Sequence, residues 1–287
     1  MAIPLKKNKA YVSSLIIEIT RRCNMACEHC LRGNAQNLDI TRPMLEKIFE
    51  PIASVDTITF TGGEPALRPQ LLMEALEVAK LFNVDVAQVY VVTNGKEVSD
   101  EFLSAIQAWH FFTLQNSWNF SSKRMVGHEE ANRLIQMLTS DEDRSDGAWV
   151  SLSMDCFHEE IPLENICRLS SLPHLTCDKY EGGTSDRWII CEGRAMENGI
   201  GEKTLRELRP WYFDERGKSL DIEEDNPEDQ RYSVEEVMFS ATGNVLKCCD
   251  ASYETQEEIK LFNLNDLGVN CTWVDKAVEL NKQINAH

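Results

Sequence analysis

Apolar residues gather in short runs that alternate with helix-length stretches of mixed polarity. Leu15-Ile16-Ile17-Glu18-Ile19 is β-branched and breaks into Arg21-Arg22-Cys23, which predicts a buried strand. A loop from Thr20 to about Ile40 follows, then a helix opened by Thr41-Arg42-Pro43, with a cap-type residue and a proline in the first turn. Thr57 to Phe60 predicts a second strand running into Gly62-Gly63-Glu64-Pro65 and a helix over Pro69 to Phe82. Val86 to Val92, ending at Thr93-Asn94-Gly95, predicts a third strand, with Ser99 to Trp109 as its helix. Further on, Phe111 to Trp118 reads as a fourth strand, Glu129 to Thr139 as an amphipathic helix and Ala148 to Met154 as a strand. Pro162 to Leu172 reads as helical and His174 to Tyr180 as the last strand.

Strands alternating with helices of this length indicate parallel βαβ units. The expected fold class is therefore α/β: six units ending near residue 190, an incomplete (β/α)6 barrel. Composition shifts near Gly182 to Asp186, so the domain reading is a core over 1–190 and a small α+β cap over 191–287. The cap is expected to hold a hairpin, Val234 to Phe239 with Val245 to Cys249, and a terminal helix over Trp273 to Ile284.

Charge changes the picture of partners. With 47 acidic against 29 basic residues and a net charge of -18, the chain is a poor match for a long polyanion, which needs Lys and Arg to neutralise phosphate. No nucleic-acid partner is expected. The acidic runs at Asp141 to Asp143 and Asp221 to Asp229 read as exposed loops. No apolar run approaches the ~20 residues that cross a bilayer, and Met1 to Ala10 lacks the apolar stretch of a secretion signal. A cytoplasmic protein without a membrane partner is expected, and there ten cysteines are better explained by thiols and metal than by disulfides.

Chemistry concentrates in Cys23-Asn24-Met25-Ala26-Cys27-Glu28-His29-Cys30. Three thiols in a loop leaving a strand can converge on a soft metal centre, and thiolates select zinc or iron-sulfur clusters. A cubane of four irons usually takes four cysteines. Three would leave one iron open to a substrate or cosubstrate. The alternative is a structural zinc knuckle with His29 as fourth ligand, although zinc usually takes two separated pairs.

This loop resembles the Cys-x3-Cys-x2-Cys signature of the radical S-adenosylmethionine (SAM) enzymes, with His29 in the place of the aromatic residue common before the third cysteine. The resemblance implies that Cys23, Cys27 and Cys30 hold a [4Fe-4S] cluster whose open iron is chelated by SAM. It further implies reductive cleavage to methionine and a 5'-deoxyadenosyl radical, which abstracts hydrogen from a substrate, with an electron donor such as flavodoxin or ferredoxin as partner. Gly62, Gly63 and Glu64 resemble the family's site for the SAM amino group. The resemblance covers about the first two thirds of the chain.

Other positions are read more openly. Asn94 either bonds to SAM and orders the site or belongs to an ordinary Asn-Gly turn. Ser153 and Asp155 end a strand resembling one in peptide-modifying members and would contact the ribose or methionine end of SAM, with Cys156 where those relatives have glycine. As catalytic candidates we take Cys156, a potential hydrogen donor, and His158, a potential proton donor or acceptor. Both have bland readings, a packed thiol and a surface imidazole.

Cys191, Cys248, Cys249 and Cys271 raise an auxiliary cluster, and Gly243 with Cys248 resembles half of the pattern in the SPASM and twitch extensions. The cysteine expected upstream of that glycine is absent, so the default is a cap without a second cluster. Only a short arm precedes the first strand, and no fused leader-recognition domain is expected. The substrate read from all this is a peptide, epimerised, crosslinked or oxidised. Its rivals are a nucleoside or sugar small molecule, a glycyl-radical activase and, from another class, a zinc-stabilised binding module without turnover.

Overall fold

A strand buried on both faces needs apolar side chains on both, and β1 (Lys9–Thr20) supplies them: Leu15, Ile17 and Ile19 face one core, Ile16 a second. The computed structural model describes residues 9–124, 147–154, 157–179, 189–214, 217, 219–226 and 231–285. β1 lies in the middle of one sheet. On one side stand β2 (Ile52–Gly62), β3 (Asp85–Thr93), β4 (Gly147–Met154) and β5 (Leu175–Lys179), all parallel to it.

The carboxyl ends of these strands share one edge, since Thr20 pairs with Gly62 and Thr93 with Leu152. Loops leaving that edge are therefore brought together by register alone.

One face of the sheet is covered by helices whose apolar spacing fits it. α1 (Arg42–Phe49) buries Leu45, Ile48 and Phe49, and α2 (Pro69–Leu81) buries Leu72, Ala75, Leu76 and Ala79. α3 (Asp100–Arg124) buries Phe102, Ala105, Ile106, Trp109 and Phe112. Trp109 donates its indole N–H to the Leu72 carbonyl at 2.9 Å and packs 5.4 Å from Phe60, tying α2, α3 and β2. The fourth strand expected at Phe111 to Trp118 is absent because this i, i+3, i+4 pattern continues and α3 runs through it; Phe111 faces outward, 64% exposed. The helix expected over Glu129 to Thr139 lies outside the described residues.

α4 (Leu163–Leu169) then leads to β5. The sixth parallel strand comes from the C-terminal portion and not from the six units expected before residue 190. It is β7 (Arg231–Phe239), which pairs with β1 from the other side. β6 (Ile222–Asn226) joins β7 antiparallel, so part of the acidic run read as loop is an edge strand. β8 (Asn244–Leu246) completes the expected hairpin with β7 and pairs with the short β9 (Phe262–Asn263). The terminal helix, α8 (Trp273–Asn285), docks through Trp273, whose indole N–H reaches the Ile48 carbonyl at 2.9 Å.

The other face carries the second, smaller core: Ile16, Met238, Leu246, Cys248 and Ala251 meet Leu205, Tyr212 and Ile259. These last come from α6 (Leu205–Leu208), a 3-10 turn and α7 (Tyr253–Ile259). The C-terminal third thus covers the Ile16 side of β1, the side on which Thr59 of β2 and Tyr90 of β3 stand in register with Ile16. Among the described residues no helix is long and apolar enough to cross a membrane.

Candidate active site

The cysteine loop is fixed at its base before it reaches any thiol. Residues 36–40 return beside the end of β1: Arg21 N–H donates to the Leu38 carbonyl at 2.8 Å, Gln36 N–H to Arg21 at 2.9 Å, and Ile40 N–H to Ile19 at 3.0 Å. Asp39 collects the Thr20 hydroxyl (2.6 Å), Arg22 Nε (3.1 Å to both oxygens) and Arg68 Nε (2.9 Å). Partial burial opposes its ionisation, but these partners win and hold Asp39 below the usual carboxylate range.

The glycine turn after β2 closes on the same loop. Gly63 N–H donates to the Thr20 carbonyl at 2.8 Å and Glu64 N–H to Arg22 at 2.7 Å. Gly62 sits at φ +127, where a Cβ would lie 2.1 Å from the Thr20 oxygen, and a Cβ on Gly63 would lie 2.2 Å from the Arg22 oxygen. Only glycine permits that approach.

Glu64 is turned inward. Its carboxylate is 1% exposed and accepts from Ala66 N–H (2.9 Å), the Thr93 hydroxyl (2.7 Å) and Asn94 N–H (2.7 Å). Burial pushes its pKa up to about 7 despite those three donors. Glu64 thus ties the β2 turn to the end of β3.

Cys23, Cys27 and Cys30 are all half-buried and line one cavity of about 490 Å³, together with Gly62, Gly63 and Tyr253. Turns at Cys30 N–H to Cys27 (3.3 Å) and Gly33 N–H to Cys30 (3.3 Å) curl the loop around it. Burial raises the Cys23 thiol, while backbone N–H groups of Met25 and Asn24 favour its thiolate.

Three soft donors around one cavity suit a cubane, which binds each thiolate at a different iron. A zinc knuckle would need His29 to turn its ring to the same ion as the three thiols. His29 instead packs its ring 4.8 Å from Phe157 and 5.2 Å from His158. The donor set fits an iron-sulfur cluster.

Some anticipated residues meet here and others do not. Asn94, 7% exposed, reaches the loop: its Nδ2 lies 2.9 Å from Asn24 Oδ1 and 3.8 Å from Cys23 Sγ. His158 meets His29 edge-on outside the cavity lining, and Ser153, half-buried in β4 opposite Asp178, is not among the lining residues. Asp155 and Cys156 lie outside the described residues.

Residues that the sequence reading passed over turn out to hold the loop. Gly193 at the start of α5 (Gly193–Glu197) touches Gly33 so closely that a Cβ would sit 2.4 Å from its nitrogen. Arg194 donates Nε to the Cys27 carbonyl at 3.0 Å and its backbone N–H to Cys30 at 2.9 Å, and it lines the cavity. Beneath, Glu18, Arg21 and Gln256 form a closed triangle in the core, with Arg21 Nε to Glu18 at 2.6 Å, Arg21 to Gln256 at 2.7 Å and Gln256 to Glu18 at 3.1 Å. The Tyr253 ring lies 4.2 Å from the Arg21 guanidinium. The glycine at 193 was the available signal, since an isolated glycine often marks a close backbone approach.

Comparison with known proteins agrees with this geometry. Residues 17–124 match the Radical SAM superfamily. The chain is similar to a probable GTP 3',8-cyclase of Methanopyrus kandleri, 33% identical over 93 residues, which is 31% of this chain and 29% of that protein. It is also similar to the putative peptide biosynthesis protein YydG of Bacillus subtilis, 30% identical over 91 residues, covering 30% and 27% respectively. These matches span less than a third of each relative's length.

Among solved structures, anSMEcpe with bound AdoMet and Cp18Cys peptide overlaps 96% of this chain and 82% of its own, with 12% identity and a TM-score of 0.43. Streptococcus suis SuiB bound to precursor peptide SuiA overlaps 84% and 60%, with 11% identity and a TM-score of 0.36. Overlaps this loose carry nothing about substrate. The segment similar to the Radical SAM superfamily, residues 17–124, contains the three thiols, the Gly62-Gly63-Glu64 turn and Asn94.

Proposed function

We propose that this chain is a radical SAM enzyme that abstracts hydrogen from a peptide substrate. The observation that carries the reading is the shared cavity of Cys23, Cys27, Cys30, Gly62 and Gly63. When bound, a [4Fe-4S] cluster and SAM supply an electron and a 5'-deoxyadenosyl radical for hydrogen abstraction, chemistry that belongs to the cofactors. The three cysteines would hold the cluster. Gly62 and Gly63 would present backbone to the methionine end of SAM, and Glu64, once ionised, would stand behind them as a buried counter-charge. Arg194 brings a cation to the same wall, suited to a carboxylate.

A peptide is favoured over a nucleoside triphosphate by charge. A net of -18 repels a triphosphate and suits a neutral or basic peptide. Thr59 and Tyr90, half-buried neighbours in register on one face of the sheet, offer it polar contact. The second reading, a nucleotide substrate, is favoured by the similarity to a GTP 3',8-cyclase over 93 residues. A single-electron donor such as flavodoxin or ferredoxin would feed either reaction, and Cys156 and His158 remain our candidates for hydrogen or proton transfer to substrate.

The test is anaerobic incubation of iron-reconstituted protein with SAM, dithionite and, in separate arms, peptides encoded beside its gene or GTP. Formation of 5'-deoxyadenosine and a mass change in a peptide supports the proposal. A product from GTP alone overturns the peptide assignment, and no 5'-deoxyadenosine in any arm overturns the enzyme.

A further inference from the structure

We propose that Asn94 is a hydrogen-bond donor to the Cys23 sulfur and sets the reduction potential of the cluster held there. The inference rests on the radical SAM reading above and adds to it a residue from outside the cysteine loop.

The side chain has little choice of orientation. Its backbone N–H is held by Glu64 Oε2 at 2.7 Å, and its side-chain oxygen accepts from Lys96 N–H at 2.9 Å. The amide nitrogen must then face the loop, where one hydrogen meets Asn24 Oδ1 at 2.9 Å and the other points to Cys23 Sγ at 3.8 Å. That distance suits sulfur, a larger acceptor than oxygen. Gly95, at φ +68, makes the turn that aims the residue, with its N–H on the Thr93 hydroxyl at 3.1 Å. The Asn-Gly turn and the contact to the thiol are therefore one device.

Asn94 is 7% exposed, and a donor shielded from water acts more strongly on a charged acceptor. Hydrogen bonds to cluster sulfurs stabilise the more negative, reduced state and so raise the potential. Backbone N–H groups of Asn24 and Met25 also face Cys23, but any residue in those places supplies them. Asn94 is the donor that the sequence chooses.

The experiment is a redox titration of the anaerobically reconstituted full chain, followed by visible absorbance and electron paramagnetic resonance. It compares the parent with Asn94→Leu, which keeps volume without a donor, and Asn94→Asp, which keeps shape and the Lys96 contact. Both variants should retain iron and titrate at a more negative midpoint. At a fixed poise the ratio of reduced to oxidised cluster should fall about fivefold, the effect of one ordinary hydrogen bond.

A parental midpoint in iron-loaded variants overturns the inference and leaves the enzyme reading standing. Loss of iron in both variants also overturns it, because Asn94 would then build the loop rather than tune the cluster. A parent chain that takes up no iron removes the enzyme reading, and this inference with it.

Discussion

Two glycines and one carboxylate set the shape of the turn below the cavity, and each has a separate signature. Gly63→Ala would drive a methyl group to 2.2 Å from the Arg22 carbonyl, which backbone cannot yield without moving the cysteine loop. We expect a loss of about 2 kcal/mol or more of stability by chemical denaturation, with SAM affinity reduced in the folded fraction. Glu64 is the pH-sensitive member. Its carboxyl is raised from 4.5 to about 7 by burial, so the folded state binds its proton more tightly than the unfolded chain does. That contribution is full below pH 4.5 and is lost as pH rises through about 7, on the order of a few kcal/mol. The iron-free protein should thus melt at a lower temperature at pH 8 than at pH 5.5, and Glu64→Gln should flatten the difference.

The loop is held by elements far from it in sequence. α5 grips its outer turn through Gly193 and Arg194, and α7 brings Gln256 to the buried Glu18–Arg21 pair. Arg194→Ala removes bonds to the Cys27 carbonyl and Asn34 (3.0 and 3.1 Å) and should speed iron loss to a chelator several-fold without unfolding the chain. Arg21→Ala is more severe, because Glu18, with no exposed surface, would stay buried without its cation. A loss of about 3–5 kcal/mol is expected by thermal or urea unfolding.

These grips were the illegible part of the sequence. The thiols at 23, 27 and 30, the turn at 62–64 and the strand ends leading to them follow from local pattern, since each signal lies within ten residues. Arg194 and Gln256 act across more than 160 residues, and nothing in their neighbourhood distinguishes them from surface side chains. The misplaced strand at Phe111 to Trp118 has the same origin. An aromatic-rich run fits either period, and the packing of Trp109 against Phe60 and of Phe112 against Trp109 decides for helix.

At the scale of the whole molecule, one sheet carries both parts of the chain. β1 is flanked by β2 from the core and by β7 from the C-terminal portion, so the strand that presents the cysteine loop is supported from both sides. Helices cover one face and a smaller core covers part of the other, while register gathers the loop, the glycine turn and the β3 end at one edge. Three thiols would leave one corner of an iron cube free. The most direct test is electron paramagnetic resonance of the reduced, iron-loaded protein before and after addition of SAM. A corner open to SAM predicts a shifted spectrum, and Cys27→Ala should abolish the signal. A spectrum unchanged by SAM, or a signal that survives loss of Cys27, would contradict it.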